Sequence, residues 1–501
     1  MRRPSPDARS AGRLRRLGSR TARPSSGSVL LAIGVAFAAF QVVALDLGRA
    51  PSWDEAIYLS QAEPGAVAQP LAPWRARGIT FLVAPALWLG APLTAVRAML
   101  AVLGAAALVA AFRTWLPTVG SAAALAAALF ASGWVALLYG SEVMPNLWVA
   151  FAGTAAAGLA SRVGATGRHR EVALAGMLIA AAALVRPFDA ALLVPIVTVV
   201  LLRVGTRPRA ASIPVAGWAA GTLVWLIETA VRSGGVLPAL ARASGADSGG
   251  KRDLPGRVVA YLGAVEGPPA PGIDDPGLAW GTVVVSLVVA ACAVGLVRAR
   301  GRPEHVPLLA ATVGGAAFVA SYVAVVGTVA PRFLAPALAL LSLGVAYGVR
   351  ELWRGGVAGP WRTDAVGVVV QAAIAAAIAA WTLWQASVAS SIVSELSAAR
   401  ELPTRIGAAI GAHDRRGTPC TVIAEVWAPQ IGYAAGCRGR AADGAVETLV
   451  AEERRRGAAS IFFVVRRPLA ATPAMLEAVP LPDGVASPVR IYRVLAGPLP
   501  P

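Results

Sequence analysis

Two adjacent carboxylates, Asp54 and Glu55, follow directly on the first long apolar segment of the chain, in Pro51-Ser-Trp-Asp-Glu-Ala-Ile-Tyr58. Carboxylates held where a hydrophobic anchor leaves a bilayer can take a proton from a hydroxyl or bind a hard cation. Three more ionisable groups stand at ends of later apolar segments. Glu142 lies in Tyr139-Gly-Ser-Glu-Val-Met-Pro145, Arg186 precedes Pro187, and Arg332 lies in Pro331-Arg-Phe-Leu-Ala-Pro336. Ionised groups at such depth are costly unless paired, hydrated or functional. If all five face one side of a membrane, they describe a polar cavity open to that side.

Each group also has a plainer reading. Asp54 or Glu55 would cap a helix beginning at Ala56. Glu142 would be a solvated turn residue, and Arg186 and Arg332 would snorkel to lipid headgroups. Trp53, Trp74, Trp88, Trp134 and Trp148 suit interfacial anchors.

The elements that must position these groups are read from composition. The chain has 501 residues, 56% hydrophobic and only 14% charged. With a mean hydropathy of +0.64 and repeated runs long enough to cross a bilayer, it is a polytopic membrane protein. The net charge of +18 is not a nucleic-acid footprint, because the arginines form short clusters between apolar runs. Lys251 is the only lysine, a bias that suggests a high-G+C bacterial genome.

Residues 1–27 carry Arg2, Arg3, Arg9, Arg13, Arg15, Arg16, Arg20 and Arg23 against Asp7 alone, and predict a disordered cytoplasmic tail. The run from Val29 to Leu45 is long for a signal-peptide core and predicts an uncleaved first span. Alternation of sides gives about eleven spans, near 28–46, 93–112, 119–138, 144–161, 171–185, 188–203, 211–230, 278–297, 306–327, 333–349 and 365–386. The predicted inner loops hold clusters such as Arg162/Arg168/Arg170 and Arg298/Arg300/Arg302. The predicted outer segments hold Asp46, Asp54, Glu55, Glu142, Asp189 and Asp253. This parity puts the candidate groups on the outer side.

A transmembrane catalytic domain is expected over 28–386, with extracytoplasmic loops 47–92 and 231–277 within it. The first contains Gly78 to Gly90, too short to span and carrying Pro85 and Trp88, which suits an interfacial helix. The second is rich in Gly and Pro and reads as a mobile loop. Residues 387–501 are less apolar. Thr421-Val-Ile-Ala, Ser460 to Val465 and Val489 to Val494 read as strands of a small extracytoplasmic α/β domain. Cys420 and Cys437 fall in it and are placed to pair in an oxidising compartment, whereas Cys292 lies in a span. The fold class is thus an all-α polytopic transmembrane bundle with a small C-terminal α/β domain.

No phosphate-binding loop, dinucleotide fingerprint or Gly-x-Ser-x-Gly is present, and His169, His305 and His413 are too dispersed to share a metal. The chain instead resembles the GT-C superfamily of membrane glycosyltransferases, which includes protein mannosyltransferases and aminoarabinose lipid A transferases. The resemblance rests on Asp54-Glu55-Ala-Ile-Tyr58, Arg75-Ala-Arg77-Gly-Ile-Thr-Phe, Arg97 in the second span, Pro331-Arg-Phe-Leu-Ala-Pro336, Glu425 to Tyr433 and Ile491-Tyr-Arg-Val.

The resemblance implies transfer of a sugar from a polyprenyl-phosphate donor to an acceptor glycan, lipid or protein at the outer face of the inner (plasma) membrane. Asp54 would be the base and Glu55 would orient the acceptor or a bound cation. Glu142 matches the family's second acidic position. Arg332, then Arg77 and Arg186, would hold the leaving phosphate, with Arg75, Tyr58 and Trp53 also at the substrate, Trp53 by stacking on the sugar. The Lys-Pro-Pro run that many members carry is replaced here by Trp74-Arg-Ala-Arg-Gly. Mg²⁺ or Mn²⁺ on Asp54, Glu55 and Glu142 is compatible with hard oxygen ligands, but nothing in the sequence compels it. The alternatives are a transporter or lipid-linked-sugar flippase, which would place ionisable groups near the midplane on interrupted helices, and a catalytically silent relative.

Overall fold

The computed structural model describes residues 25–166, 169–206, 208–246, 253–265, 267, 278–358, 364–414, 419–466, 476–480 and 489–495. The basic tail over 1–24 and the span-to-span segment 268–277 lie outside the described residues.

The chain opens with α1 (Ser26–Ala44), capped by Ser25, whose side chain accepts the Ser28 N–H. A short helix α2 (Trp53–Ser60) and the apolar α3 (Gly78–Trp88) occupy segment 47–92, the first that the sequence predicts to be outside, and α4 (Leu93–Arg113) follows. The predicted span 119–138 is two helices, α5 (Ala122–Ser132) and α6 (Trp134–Tyr139), separated at the extended Gly133. The Trp134 N–H that this break frees donates to Gln385 Oε1 at 2.9 Å. Then come α7 (Asn146–Thr166), α8 (His169–Val185), α9 (Pro187–Arg203) and α10 (Ile213–Ser233).

The segment 231–277, read as an irregular loop, contains α11 (Val236–Ala246) and α12 (Leu254–Gly263) among its described residues. Asp253 starts α12 by accepting the Gly256 N–H, a cap hidden in the sequence by the surrounding Gly and Pro. The bundle continues with α13 (Leu278–Ala299), α14 (His305–Val325), a 3₁₀ turn at Pro331–Leu334 and α15 (Ala335–Ala358). Seven helices among the described residues are long and apolar enough to cross a membrane. They include α1, α4, α13 and α14, and the protein is multi-pass.

The last helix, α16 (Asp364–His413), runs through the boundary expected at residue 386. Its 50 residues reach about 75 Å at 1.5 Å per residue, against a hydrocarbon core of about 30 Å. Its end becomes one wall of the C-terminal domain. There β1 (Cys420–Ala424), α17 (Ala428–Ala435), β2 (Arg438–Ala441), α18 (Val446–Arg455), β3 (Ser460–Val465), β4 (Leu476–Val479) and β5 (Arg490–Val494) form a sheet in the order β2-β1-β3-β5-β4. β1 is parallel to β2 and β3, and β5 is antiparallel to β3 and β4. One face packs Val422, Phe462 and Ile491 against Ile406, Ile410 and Ile431. The other packs Ile423, Phe463 and Tyr492 against Leu449 and Val450. Burial on both faces accounts for the continuous apolar runs of β1 and β3. Cys420 and Cys437 form a disulfide.

Two contacts set where the first outer segment lies. A Cβ on Gly78 would fall 2.7 Å from the Leu184 carbonyl, so a glycine there lets α3 close on the end of α8. From the other side α17 packs on α2. The Gln69 amide donates to the Cys437 carbonyl at 2.8 Å and accepts the Gly439 N–H at 2.7 Å, while Gln430 donates to the Pro51 carbonyl at 3.2 Å. The Tyr433 hydroxyl bonds to Glu63.

Candidate active site

The mouths of several helices meet beneath α2. Asp54, Tyr58, Trp74, Arg75, Ala76, Pro145, Asn146, Val185, Arg186, Arg332 and Phe333 line one cavity. These residues come from α2, the turn before α3, the start of α7, the α8–α9 junction and the 3₁₀ turn before α15. Positions far apart in sequence are gathered because they lie in the short helix α2 or at and beside the ends of other helices.

Asp54 is 7% exposed. Its Oδ1 accepts from Arg75 at 2.5 Å and its Oδ2 from Arg332 at 2.8 Å. Burial pushes its pKa up, but the charges of Arg332, Arg75 and Arg186 outweigh that and hold it below the ordinary aspartate value. Burial acts on Arg75 in the opposite sense and is likewise overcome, by Asp54, so its pKa is raised. Arg75 lies 5.5 Å from the Tyr58 ring centroid, and Arg332 lies 5.1 Å from that of Phe333. Arg186 pairs with Asp189 at 2.7 Å and donates to the Tyr322 hydroxyl at 3.0 Å.

Glu55 points the other way. It completes a capping box with Ser52, accepting the Ser52 N–H at 3.0 Å while its own N–H donates to Ser52 Oγ at 3.2 Å. Its Oε1 and Oε2 also accept from Arg97 at 3.1 and 2.6 Å, and the Val143 N–H donates to Oε1 at 3.2 Å. Burial raises its pKa, and Arg97, Arg400 and Arg49 more than reverse this, so the carboxylate is held well below the ordinary range. Glu142 is buried too, its Oε1 shared by Arg49 at 3.0 Å and Arg400 at 2.8 Å. The chain of Arg97, Glu55, Arg400, Glu142 and Arg49 forms a second shelf of charge behind the cavity and ties α4 and α16 to the first outer segment.

Of the residues singled out in the sequence, the structure thus brings Asp54, Tyr58, Arg75, Arg186 and Arg332 together. Glu55 and Glu142 sit behind them. Arg77 instead donates to Glu228 at 2.5 Å and Gln61 at 3.0 Å, and Trp53 is 42% exposed outside the lining. Sequence reasoning left Asn146, Phe333, Arg49 and Arg400 unassigned and read Trp74 only as an anchor. The one available signal was that Asn146 and Phe333 neighbour groups already noted.

A divalent cation on the three acids would have to displace the guanidinium groups that hold them. Both oxygens of Asp54 and of Glu55 are taken by guanidinium groups, as is Glu142 Oε1; only Glu142 Oε2 lacks a partner. Among the described residues the one cluster with ligand spacing is Asp414, Cys420 and Cys437, and its two sulfurs are bonded to each other. What the cavity can do is hold an anion, since guanidiniums outnumber carboxylates there, beside one ionised carboxylate able to accept a proton.

No protein-family model and no curated protein matches the chain. Among solved structures it is similar to ArnT from Cupriavidus metallidurans bound to undecaprenyl phosphate, with a TM-score of 0.63 at 13% identity over 93% of this chain and 99% of that one. The apo state of the same protein gives 0.61 at 14% identity over 95% and 100%. The Archaeoglobus fulgidus oligosaccharyltransferase tethered with an acceptor peptide gives 0.51 at 12% identity over 86% and 68%. The likeness at these identities is one of fold alone: the chain shares the fold of these two proteins.

Proposed function

We propose that the chain is an inverting glycosyltransferase that moves a sugar from a polyprenyl-phosphate donor to an acceptor hydroxyl at the outer face of the cell membrane. The observation that carries this reading is Asp54 held by both Arg75 and Arg332 at the head of a cavity between helix mouths. The fold shared with a protein solved with undecaprenyl phosphate supports it. In this topology eleven spans place the N-terminus in the cytoplasm and the C-terminal domain outside.

The acceptor oxygen attacks the anomeric carbon as the bond from that carbon to the phosphate oxygen breaks. The acceptor proton passes to Asp54, and the electron pair of the broken bond stays on the lipid phosphate. The donor phosphodiester carries one negative charge and the departing monoester gains a second, which Arg332, Arg75 and Arg186 are placed to neutralise. As Arg332 and Arg75 turn to the phosphate they leave Asp54, whose basicity rises as it must accept the proton. Glu55 and Glu142 serve by fixing the loop on Arg97, Arg49 and Arg400 rather than by touching substrate.

The test is turnover by the purified protein in lipid nanodiscs with radiolabelled polyprenyl-phosphate sugars and cell-envelope acceptors. Labelled product together with free polyprenyl phosphate supports the assignment. Transmembrane movement of intact donor without any covalent product would replace it with a flippase.

A further inference from the structure

Asn146, the first residue of α7, is 0% exposed and lines the cavity beside Asp54, Arg186 and Arg332. Neither its Oδ1 nor its Nδ2 has a hydrogen-bond partner in the structure. An asparagine placed at a helix start to cap it would accept an N–H of the first turn, and this one accepts none. A buried carboxamide with both ends unpaired is unfavourable, and native proteins rarely leave one without a use.

The neighbours define what it would bind. Every charged group in the lining already has an ionic partner, Asp54 on Arg75 and Arg332, and Arg186 on Asp189. Asn146 adds an uncharged acceptor and two donors, the complement of a neutral hydroxyl or a pair of vicinal hydroxyls. Trp74, Tyr58 and Phe333 in the same lining supply apolar faces suited to the C–H side of a sugar ring. We infer that Asn146 is the donor-sugar recognition residue, reading ring hydroxyls while the arginines hold the phosphate. This rests on the glycosyltransferase reading above.

The experiment compares binding of undecaprenyl phosphate alone with undecaprenyl phosphate carrying mannose, glucose, galactose or arabinofuranose, using the full chain in nanodiscs. Wild-type protein should bind one charged carrier about tenfold more tightly than the bare lipid. Asn146→Leu should lose that gain and keep bare-lipid affinity. A donor lacking the hydroxyl that is read should bind wild type no better than the intact donor binds Asn146→Leu. Should the leucine variant fail to fold, Asn146→Ser, with a smaller hydroxyl, should retain only part of the gain. A gain left whole in either variant overturns the inference, as does the absence of any gain across the four sugars in wild type. Failure of wild type to bind either bare or charged carrier would instead overturn the polyprenyl-phosphate reading itself.

Discussion

Asp54 and Arg332 lie 278 positions apart in the chain and meet through a 2.8 Å hydrogen bond from the Arg332 guanidinium to Asp54 Oδ2. The partner on the other oxygen, Arg75, comes from the same outer segment as Asp54, so Arg332 alone carries the carboxylate's link to the late helices. The proposed base and the proposed phosphate clamp are therefore one unit.

Removal of either member should stop transfer for different reasons. Asp54→Asn takes away the proton acceptor and should lower kcat by at least about 10²–10⁴-fold with donor binding kept. Arg332→Ala should weaken donor binding and lower kcat by about 10²–10³-fold. Arg332→Lys should recover only part, because an ammonium cannot reproduce the planar fork. Steady-state kinetics with a labelled donor distinguishes them, and an active Asp54→Asn removes the assigned base.

The pH profile follows from the same contacts. Asp54 has a lowered value in the free protein, so it is ionised at and below the ordinary aspartate value of 3.8, and kcat/KM should stay flat as pH falls toward that range. Once donor phosphate draws off Arg332 and Arg75, its pKa rises, so the acid limb of kcat should lie at higher pH than that of kcat/KM. Coincident limbs would show that the guanidiniums never leave the carboxylate.

How much of this was legible in the sequence depended on whether a signal was local. The helices were readable from apolar length, and Asp54 and Arg332 from their places at helix mouths beside Pro. Strands β1 and β3 were readable because each is a run of apolar and β-branched residues, and β5 because Val489, Ile491, Tyr492 and Val494 are β-branched or aromatic. Strand β2, Arg-Gly-Arg-Ala over 438–441, has no such run and exists through its register with β1. The separation of roles between Asp54 and Glu55 was hidden, since adjacent helical residues point about 100° apart and which one meets the cavity is a matter of packing. Arg400 was unreadable for the same reason. It stands in a helix predicted to end at 386 and returns to the site only because that helix continues.

The buried shelf behind the cavity should govern stability more than chemistry. Arg97→Leu leaves Glu55 ionised without its main partner, a change that costs about 3–5 kcal/mol. Because the folded-state pKa of Glu55 is lowered from 4.5, its contribution is complete above that ordinary value and is withdrawn as pH falls below it. Glu55→Gln should therefore flatten the acid-side decline in melting temperature of the solubilised protein. A wild-type melting temperature indifferent to pH across that window would contradict the role.

The C-terminal domain should act on transfer through Gln69. Gln69→Leu leaves the Cys437 carbonyl and the Gly439 N–H without the partners they now have, about 1–3 kcal/mol for each buried group left unpaired. The first outer segment should then dock less firmly on α17. Expected results are faster proteolysis within 61–75 and a reduced kcat with donor affinity largely kept. Unchanged proteolysis with full activity would mean that the Gln69 contacts do not hold the segment.

Sidedness is the condition on which the donor assignment depends, and cysteine chemistry reads it directly. Cys292 is buried and Cys420 is bonded to Cys437, so a cysteine introduced at the 42%-exposed Trp53 is the one readily reactive thiol among the described residues. Charge parity puts this position outside: arginine clusters such as Arg298, Arg300 and Arg302 mark the opposite ends of the helices. Trp53→Cys should therefore react with a membrane-impermeant maleimide in intact cells as fully as in permeabilised ones. Labelling that requires permeabilisation would place Asp54 in the cytoplasm, turn the cavity toward the inner leaflet, and exclude an acceptor on the outer surface.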